Sequence, residues 1–383
     1  MEGTVEGCLG FLYDLLVVVC VGLLLLQVVK GRSVWWLVLL LVSGVTLSYL
    51  VHSSALKVGL VSVLCSVIHY LGREGVTLPT QSKAVLITGC DSGFGHDLAM
   101  FLDRAGMRVF AGVLDELSPG ALELKRAESP NLTVLQLDIT NSSQITQARQ
   151  YIQSQTSETG LWALVNNAGV LGYMCDGEIL PIKMYKKCLD VNFIGNVEMT
   201  QVFLPLIRQS KGRLISIASM AGEVPFPGFA GYGASKAALI SFSGAMRQEL
   251  SRWGVKVIII QPGGFKTNIL GSREQWSRAQ EDVLSGLSPE VMASYGEEYI
   301  RSMQQRLLHM SSVSSADTRP FLEDLKHAIL SPRPKAFYYP GASAWALPLL
   351  YRHCPTSLSD RILSQMYMSS DPQPAEIMNS CAC

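Results

Sequence analysis

Tyr232-Gly-Ala-Ser-Lys236, with Ser219 upstream, supplies three groups that could manage a proton on an alcohol. On a helix, Tyr232 and Lys236 stand one turn apart on one face. An ammonium beside a phenol favours the ionised phenol, so Lys236 is expected to draw the Tyr232 pKa below its ordinary value of ~10. A phenol tuned in this way trades protons with an alcohol near neutral pH. The Ser219 hydroxyl could hold that alcohol. Together they suit alcohol–carbonyl interconversion, provided a hydride carrier lies alongside. An ordinary helix with a surface tyrosine and lysine would carry the same residues, so the elements around them decide.

Lys83-Ala-Val-Leu-Ile-Thr88 is a short apolar run of strand formers. Gly89-Cys-Asp-Ser-Gly93-Phe-Gly95 follows at once, and residues 96–104 read as a helix with Leu98, Phe101 and Leu102 on its apolar side. Strand, glycine turn and helix form the context in which a glycine motif points to a dinucleotide, although plain punctuation between two elements would look similar. Gly89 permits a tight bend, Gly93 lets the backbone approach a pyrophosphate, and Gly95 lets the helix pack on the sheet. Asp91, Ser92 and Phe94 complete the expected cradle, with the helix N-terminus facing the phosphates. The second strand, residues 108–114, ends at Asp115-Glu116. A carboxylate there accepts hydrogen bonds from ribose hydroxyls and repels a 2′-phosphate. Asp91 adds a second negative charge, and no Lys or Arg stands at that strand end. NAD is therefore expected over NADP, with Asp115 as the discriminating residue; the alternative is a pair of solvated loop acids.

Three further signatures follow in order. Leu161-Trp-Ala-Leu-Val-Asn166-Asn167-Ala168-Gly169 is a strand ending in small and amide residues. Asp190-Val-Asn192 lies on a long apolar-periodic helix, residues 183–208. Gln261-Pro262-Gly263-Gly-Phe-Lys-Thr267 follows a strand at 255–260. Each alone is weak; the ordered set is specific. On these motifs the chain resembles the short-chain dehydrogenase/reductase family over residues 80–340. Ser118-Pro-Gly-Ala121, Gly160-Leu-Trp162, Trp253-Gly-Val-Lys-Val257 and Tyr338-Tyr-Pro-Gly341 are similar to its membrane-bound steroid and retinoid branch.

The resemblance implies an α/β, Rossmann-type doubly wound domain with a seven-stranded parallel sheet. It implies that Tyr232 is the general acid/base, that Lys236 tunes it and binds the nicotinamide ribose, that Ser219 orients the substrate oxygen, and that Asn192 anchors a water. Asp138 and Ile139 are expected beside the adenine, and Asn166, Ala168, Gly169, Pro262, Gly263 and Thr267 along the rest of the cofactor. It further implies NAD-dependent oxidation of 17β-hydroxysteroids such as estradiol and testosterone. An 11β-hydroxysteroid or retinol is the rival substrate, and a membrane-anchored dinucleotide-binding scaffold the rival of another class. The residues alone support a secondary alcohol on an apolar molecule. Homodimerisation is common in the family and is suggested here. The six histidines form no His/Cys cluster with metal spacing.

The 383 residues carry 31 Lys and Arg against 31 Asp and Glu, which gives no reason to expect a nucleic-acid partner. Between Leu9 and Leu71 the only charged residues are Asp14, Lys30, Arg32 and Lys57. Residues 1–75 are therefore expected to anchor the chain in a lipid bilayer, with spans at 11–29 and 34–51 and a weaker third at 58–71, against ~20 apolar residues needed to cross. Buried core helices are the alternative. No Lys or Arg precedes the first apolar run, so a cleaved signal is not expected. Lys30, Arg32 and Arg73 favour a cytosolic catalytic module on an endoplasmic-reticulum protein. The nine scattered cysteines suggest no disulfide framework. Residues 268–310 could form a lid over an apolar substrate or a helical pair packed on the core. Residues 341–383 form a C-terminal extension whose 345–351 stretch could touch the bilayer or pack on the core, ending in a loose tail.

Overall fold

The computed structural model describes residues 10–21, 42, 44, 46, 54–72, 77–127, 129–341, 344–368 and 372–381. They fall into two compact units, Met1–Leu78 with Ser331–Arg333, and Pro79–Leu330 with Pro334–Cys383.

Seven short strands form the second unit's sheet: β1 (Ala84–Thr88), β2 (Arg108–Val113), β3 (Leu132–Gln136), β4 (Ala163–Asn166), β5 (Arg213–Ile217), β6 (Lys256–Ile260) and β7 (Phe337–Tyr338). Their order is β3-β2-β1-β4-β5-β6-β7, all parallel. Parallel strands need crossovers, and helices supply them on both faces, which is why these strands read as continuous apolar runs rather than alternating ones. Val85 and Ile87 of β1 point to one face, under α1 (Gly93–Arg104) with Leu98 and Leu102. Ala84 and Leu86 point to the other, over Ile145 and Ile152 of α3 (Ser142–Gln155); α2 (Pro119–Arg126) joins β2 to β3.

The helix expected over 183–208 runs without interruption as α4 (Ile182–Leu189), a wider π-helical segment (Asp190–Gly195) and α5 (Asn196–Ser210). The long α6 (Ala230–Ser251) carries the Tyr-x-x-x-Lys motif. Next come α7 (Arg273–Gly286), α8 (Pro289–Tyr295) and α9 (Glu297–Val313), then α10 (Arg319–Leu330) on the sheet. The extension forms α11 (Ala346–His353) and α12 (Thr356–Met368), and within the tail expected to be loose, beyond Ser369, Ala375–Cys381 forms α13. Leu347 and Tyr351 of α11 pack on the core while Leu349 is exposed, so the stretch has two faces.

In the first unit, residues 10–21 are helical and another helix spans Ser54–Gly72. Among the described residues no helix is long and apolar enough to cross a membrane, the one over the expected third span included. Most of the expected second span and part of the first lie outside the described residues. Cys20 and Cys65, with Cα atoms 5.2 Å apart, are joined by a disulfide, a pairing that scattered spacing did not suggest.

Candidate active site

The chain leaves β1 through Gly89 at φ +70°, and a Cβ there would sit 2.8 Å from the Ala168 Cα. At Gly95 a Cβ would meet the Gly89 carbonyl oxygen at 2.3 Å, so α1 reaches the turn only without a side chain. Thr88 and Asn167 staple the two turns together. The Thr88 hydroxyl accepts from the N–H groups of Asn167 (3.0 Å) and Ala168 (2.9 Å). The Asn167 amide donates to the carbonyls of Thr88 (2.8 Å) and Gly89 (3.1 Å). This is the point where strand order reverses, the crevice in which open α/β sheets bind ligands. A cleft of about 800 Å³ opens there.

Gly89, Asp91, Ser92, Gly93, Phe94, Asp138, Ile139, Ala168, Gly169, Pro262, Gly263 and Thr267 all line the cleft, as do Ser219, Tyr232 and Lys236. Four expected residues lie outside its lining. Gly95 supports the turn from beneath. Asn166 is buried and donates to the Thr200 hydroxyl at 3.1 Å, tying β4 to α5. Asn192 is fully buried. Asp115 is exposed, and its carboxylate caps its own turn by accepting the Leu117 N–H at 2.9 Å. The acid that meets the cleft at the end of β2 is Asp91, which accepts the N–H groups of Leu114 (2.9 Å) and Asp115 (3.0 Å). Asp91 and Asp115 thus lie side by side at this strand end, with Asp91 in the cleft lining and Asp115 outside it.

Ser219, extended at the end of β5, caps a short 3-10 turn by accepting the Ala221 N–H. The Tyr232 phenol is hydrogen-bonded to Ser219. Burial pushes that phenol up to about 12, with the Ser219 hydrogen bond pulling against it. Lys236 does not depress it as expected. Its Nζ lies 5.8 Å from the tyrosine ring centroid and donates to the Ile217 carbonyl at 2.8 Å. Dehydration, not a neighbouring charge, dominates here: it lowers Lys236 to about 8.

The π-helical turn serves Asn192. Its amide grips Val170 from both sides, accepting the N–H and donating to the carbonyl, each at 2.8 Å. It also donates to Ser235 at 2.9 Å, whose hydroxyl donates to the Tyr232 carbonyl at 2.7 Å. Asn192 thus ties Val170 to the Tyr232 turn. Thr88, Asn167 and Ser235 are the functional positions the sequence reading passed over; Asn167 and Ser235 sit inside motifs already recognised.

A smaller chamber of about 360 Å³ shares Gly169, Val170, Lys187, Asn268 and Ile269 with the cleft. Leu171, Tyr173, Met184, Leu270 and Trp276 make its walls mostly apolar. Helices α7–α9 pack their apolar sides inward, burying Trp276, Val283, Tyr299 and Ile300 against Leu171, Tyr173 and Ile179. Polar bonds fasten them: Tyr299 to Asp176 (2.7 Å), Tyr295 to Glu178 (2.8 Å) and Lys183 to Asp282 (2.9 Å).

The family model described as short chain dehydrogenase matches residues 83–278. The chain belongs to the short-chain dehydrogenase/reductase family and is an oxidoreductase acting on CH–OH groups. It is 46% identical over 316 residues to estradiol 17-beta-dehydrogenase 2 of Mus musculus, covering 82% of each chain. It is 42% identical to 11-beta-hydroxysteroid dehydrogenase type 2 of Bos taurus, covering 76% of this chain and 72% of that one. A short-chain dehydrogenase/reductase from Burkholderia phymatum, solved with NAD, superposes with a TM-score of 0.59 at 20% identity, over 73% of this chain and 96% of that one, which shows the fold. The cleft fits the nicotinamide dinucleotide that the family binds. Ser92 caps α1 with extended backbone and no side-chain bond, which leaves first-turn N–H groups for a phosphate.

Proposed function

We propose that the chain oxidises 17β-hydroxysteroids, estradiol and testosterone among them, to 17-ketones with NAD. The observation that carries this reading is the hydrogen-bonded Ser219–Tyr232 pair at a dinucleotide-sized cleft that shares a wall with an apolar chamber. Bound NAD would supply the hydride acceptor and a positive charge beside the phenol. Ser219 holds the substrate oxygen; with that positive charge present, the Tyr232 phenol would release its own proton outward past Lys236, and the phenolic oxygen would then receive the alcohol's proton. Lys236, already lowered to about 8, passes a proton outward more readily than an ordinary lysine. Asp91 supports NAD over NADP, because a carboxylate fixed at the β2 end repels a 2′-phosphate.

The steroid class is supported by the mouse relative, and the bovine relative makes an 11β-hydroxyl the second reading. Reduced-cofactor formation with estradiol, testosterone, cortisol and retinol distinguishes them. Turnover of cortisol alone would replace the 17β reading, and turnover of none would overturn both. The apolar 9–71 stretch supports anchorage in the endoplasmic-reticulum membrane with the catalytic unit in the cytosol. Steroids partition into bilayers, so such a site samples a concentrated substrate. Carbonate extraction that released the intact chain would contradict the anchorage.

A further inference from the structure

Glu223 lies on the segment that follows Ser219, and its side chain is only 9% exposed. One carboxylate oxygen accepts the Gln261 amide at 2.7 Å. The other stands 2.6 Å from the guanidinium of Arg352 on α11. Gln261 is fully buried, and its main chain leads directly into Pro262 and Gly263 of the cleft wall. The Pro262 carbonyl in turn accepts the Met220 N–H at 3.3 Å, next to Ser219. Arg352 also hydrogen-bonds Tyr339, beyond β7. One buried charge therefore touches the serine turn, the Pro262–Gly263 loop and the C-terminal extension.

We infer that Glu223 is a positioning residue that couples the Ser219 turn to the nicotinamide side of the cleft, with Arg352 of α11 as its counter-charge. The inference rests on the dinucleotide-dependent oxidation proposed above. A buried carboxylate whose partner is removed is uncompensated and must move or bind a proton; movement releases Gln261, and protonation weakens the acceptor that holds it. The glycine turn and the Asp138 end of the cleft share no bond with this triad among the described residues. Their ligand, the adenosine diphosphate portion, reports whether the fold survives.

The test uses the full-length chain in membranes, with Arg352→Ala, Arg352→Lys and Glu223→Gln. Two dissociation constants are measured, for NADH and for ADP-ribose, which lacks the nicotinamide; kcat is measured beside them. Arg352→Ala is expected to weaken NADH binding and lower kcat by about tenfold each, with ADP-ribose binding held within about twofold. Arg352→Lys, which keeps the charge, is expected to recover most of both. Glu223→Gln, which keeps an acceptor for Gln261, is expected to fall between. Equal losses for NADH and ADP-ribose would overturn the inference in favour of a general structural role. Unchanged NADH binding in Arg352→Ala would overturn it outright. NADH affinity reads the coupling without turnover, so an inactive wild-type chain would count against the proposed reaction alone.

Discussion

Tyr232, Ser219 and Lys236 were legible because their spacing is written in the sequence, but the force acting on the phenol was not. Spacing places an ammonium near the ring; it does not reveal that the Ile217 carbonyl takes that ammonium or that burial raises the phenol to about 12. Tyr232→Phe is expected to lower kcat by about 10²-fold or more while NADH binding changes little. Equal activity in that variant, measured by NADH formation, would remove the phenol from the reaction. The nearness of Asp91 to Asp115 was not legible in the same way: the two are 24 residues apart, and only the fold brings the Asp91 carboxylate onto the Leu114 and Asp115 N–H groups while Asp115 accepts the Leu117 N–H. Asp91→Ala is expected to raise the kcat/KM ratio of NADP to NAD, and Asp115→Ala to leave it within about twofold. The reverse ranking would restore Asp115.

Strands and the first helix were readable from apolar runs, glycines and caps, since each signal is local. The π-helical widening between α4 and α5 was not, because residues 183–208 keep helical periodicity through it. The wide turn exists to satisfy Val170 with the Asn192 amide, a contact between positions 22 apart in sequence. The anchoring of α10 is equally nonlocal. Phe321 stacks on Phe94 of the glycine turn, with centroids 3.7 Å apart, and meets Phe265 edge-on at 6.5 Å. Phe321→Ala is expected to cost about 3–5 kcal/mol, read by denaturant unfolding. A loss under about 1 kcal/mol would mean that the aromatic cluster closes around the gap. Helices α1 and α2 meet through His96, whose ring lies 3.5 Å from Glu123. A hydrogen bond to Asp97, then Glu123's charge, raises its pKa above 6.5 against burial. Its stabilising contribution is therefore complete below the unfolded pKa and lost as pH rises through the folded one. The melting-temperature gap between wild type and His96→Gln is expected to shrink from pH ~5.5 to ~8. A gap that widens with pH would contradict this assignment.

Across the whole chain, composition sets an apolar N-terminal stretch apart from the rest, and the structure's own units are Met1–Leu78 with Ser331–Arg333 and Pro79–Leu330 with Pro334–Cys383. Composition did not reveal the Cys20–Cys65 pairing, which depends on two helices meeting, nor the helical C-terminal extension. The cytosolic orientation is open to a mass-shift assay. Asn131 and Asn141 both lie in glycosylation sequons, and the Asn141 amide already caps α3 by accepting the Ser143 and Gln144 N–H groups. No glycosidase-sensitive shift at either residue is expected; a shift at Asn131 would turn the catalytic unit to the lumen. The most direct trial of the proposed reaction is NAD-dependent NADH formation by membranes carrying the wild-type chain or Tyr232→Phe, supplied with estradiol. Rapid NADH formation by the wild type and a near-baseline rate in the variant are expected. Comparable rates from both, or none from the wild type with any hydroxysteroid and either dinucleotide, would contradict it.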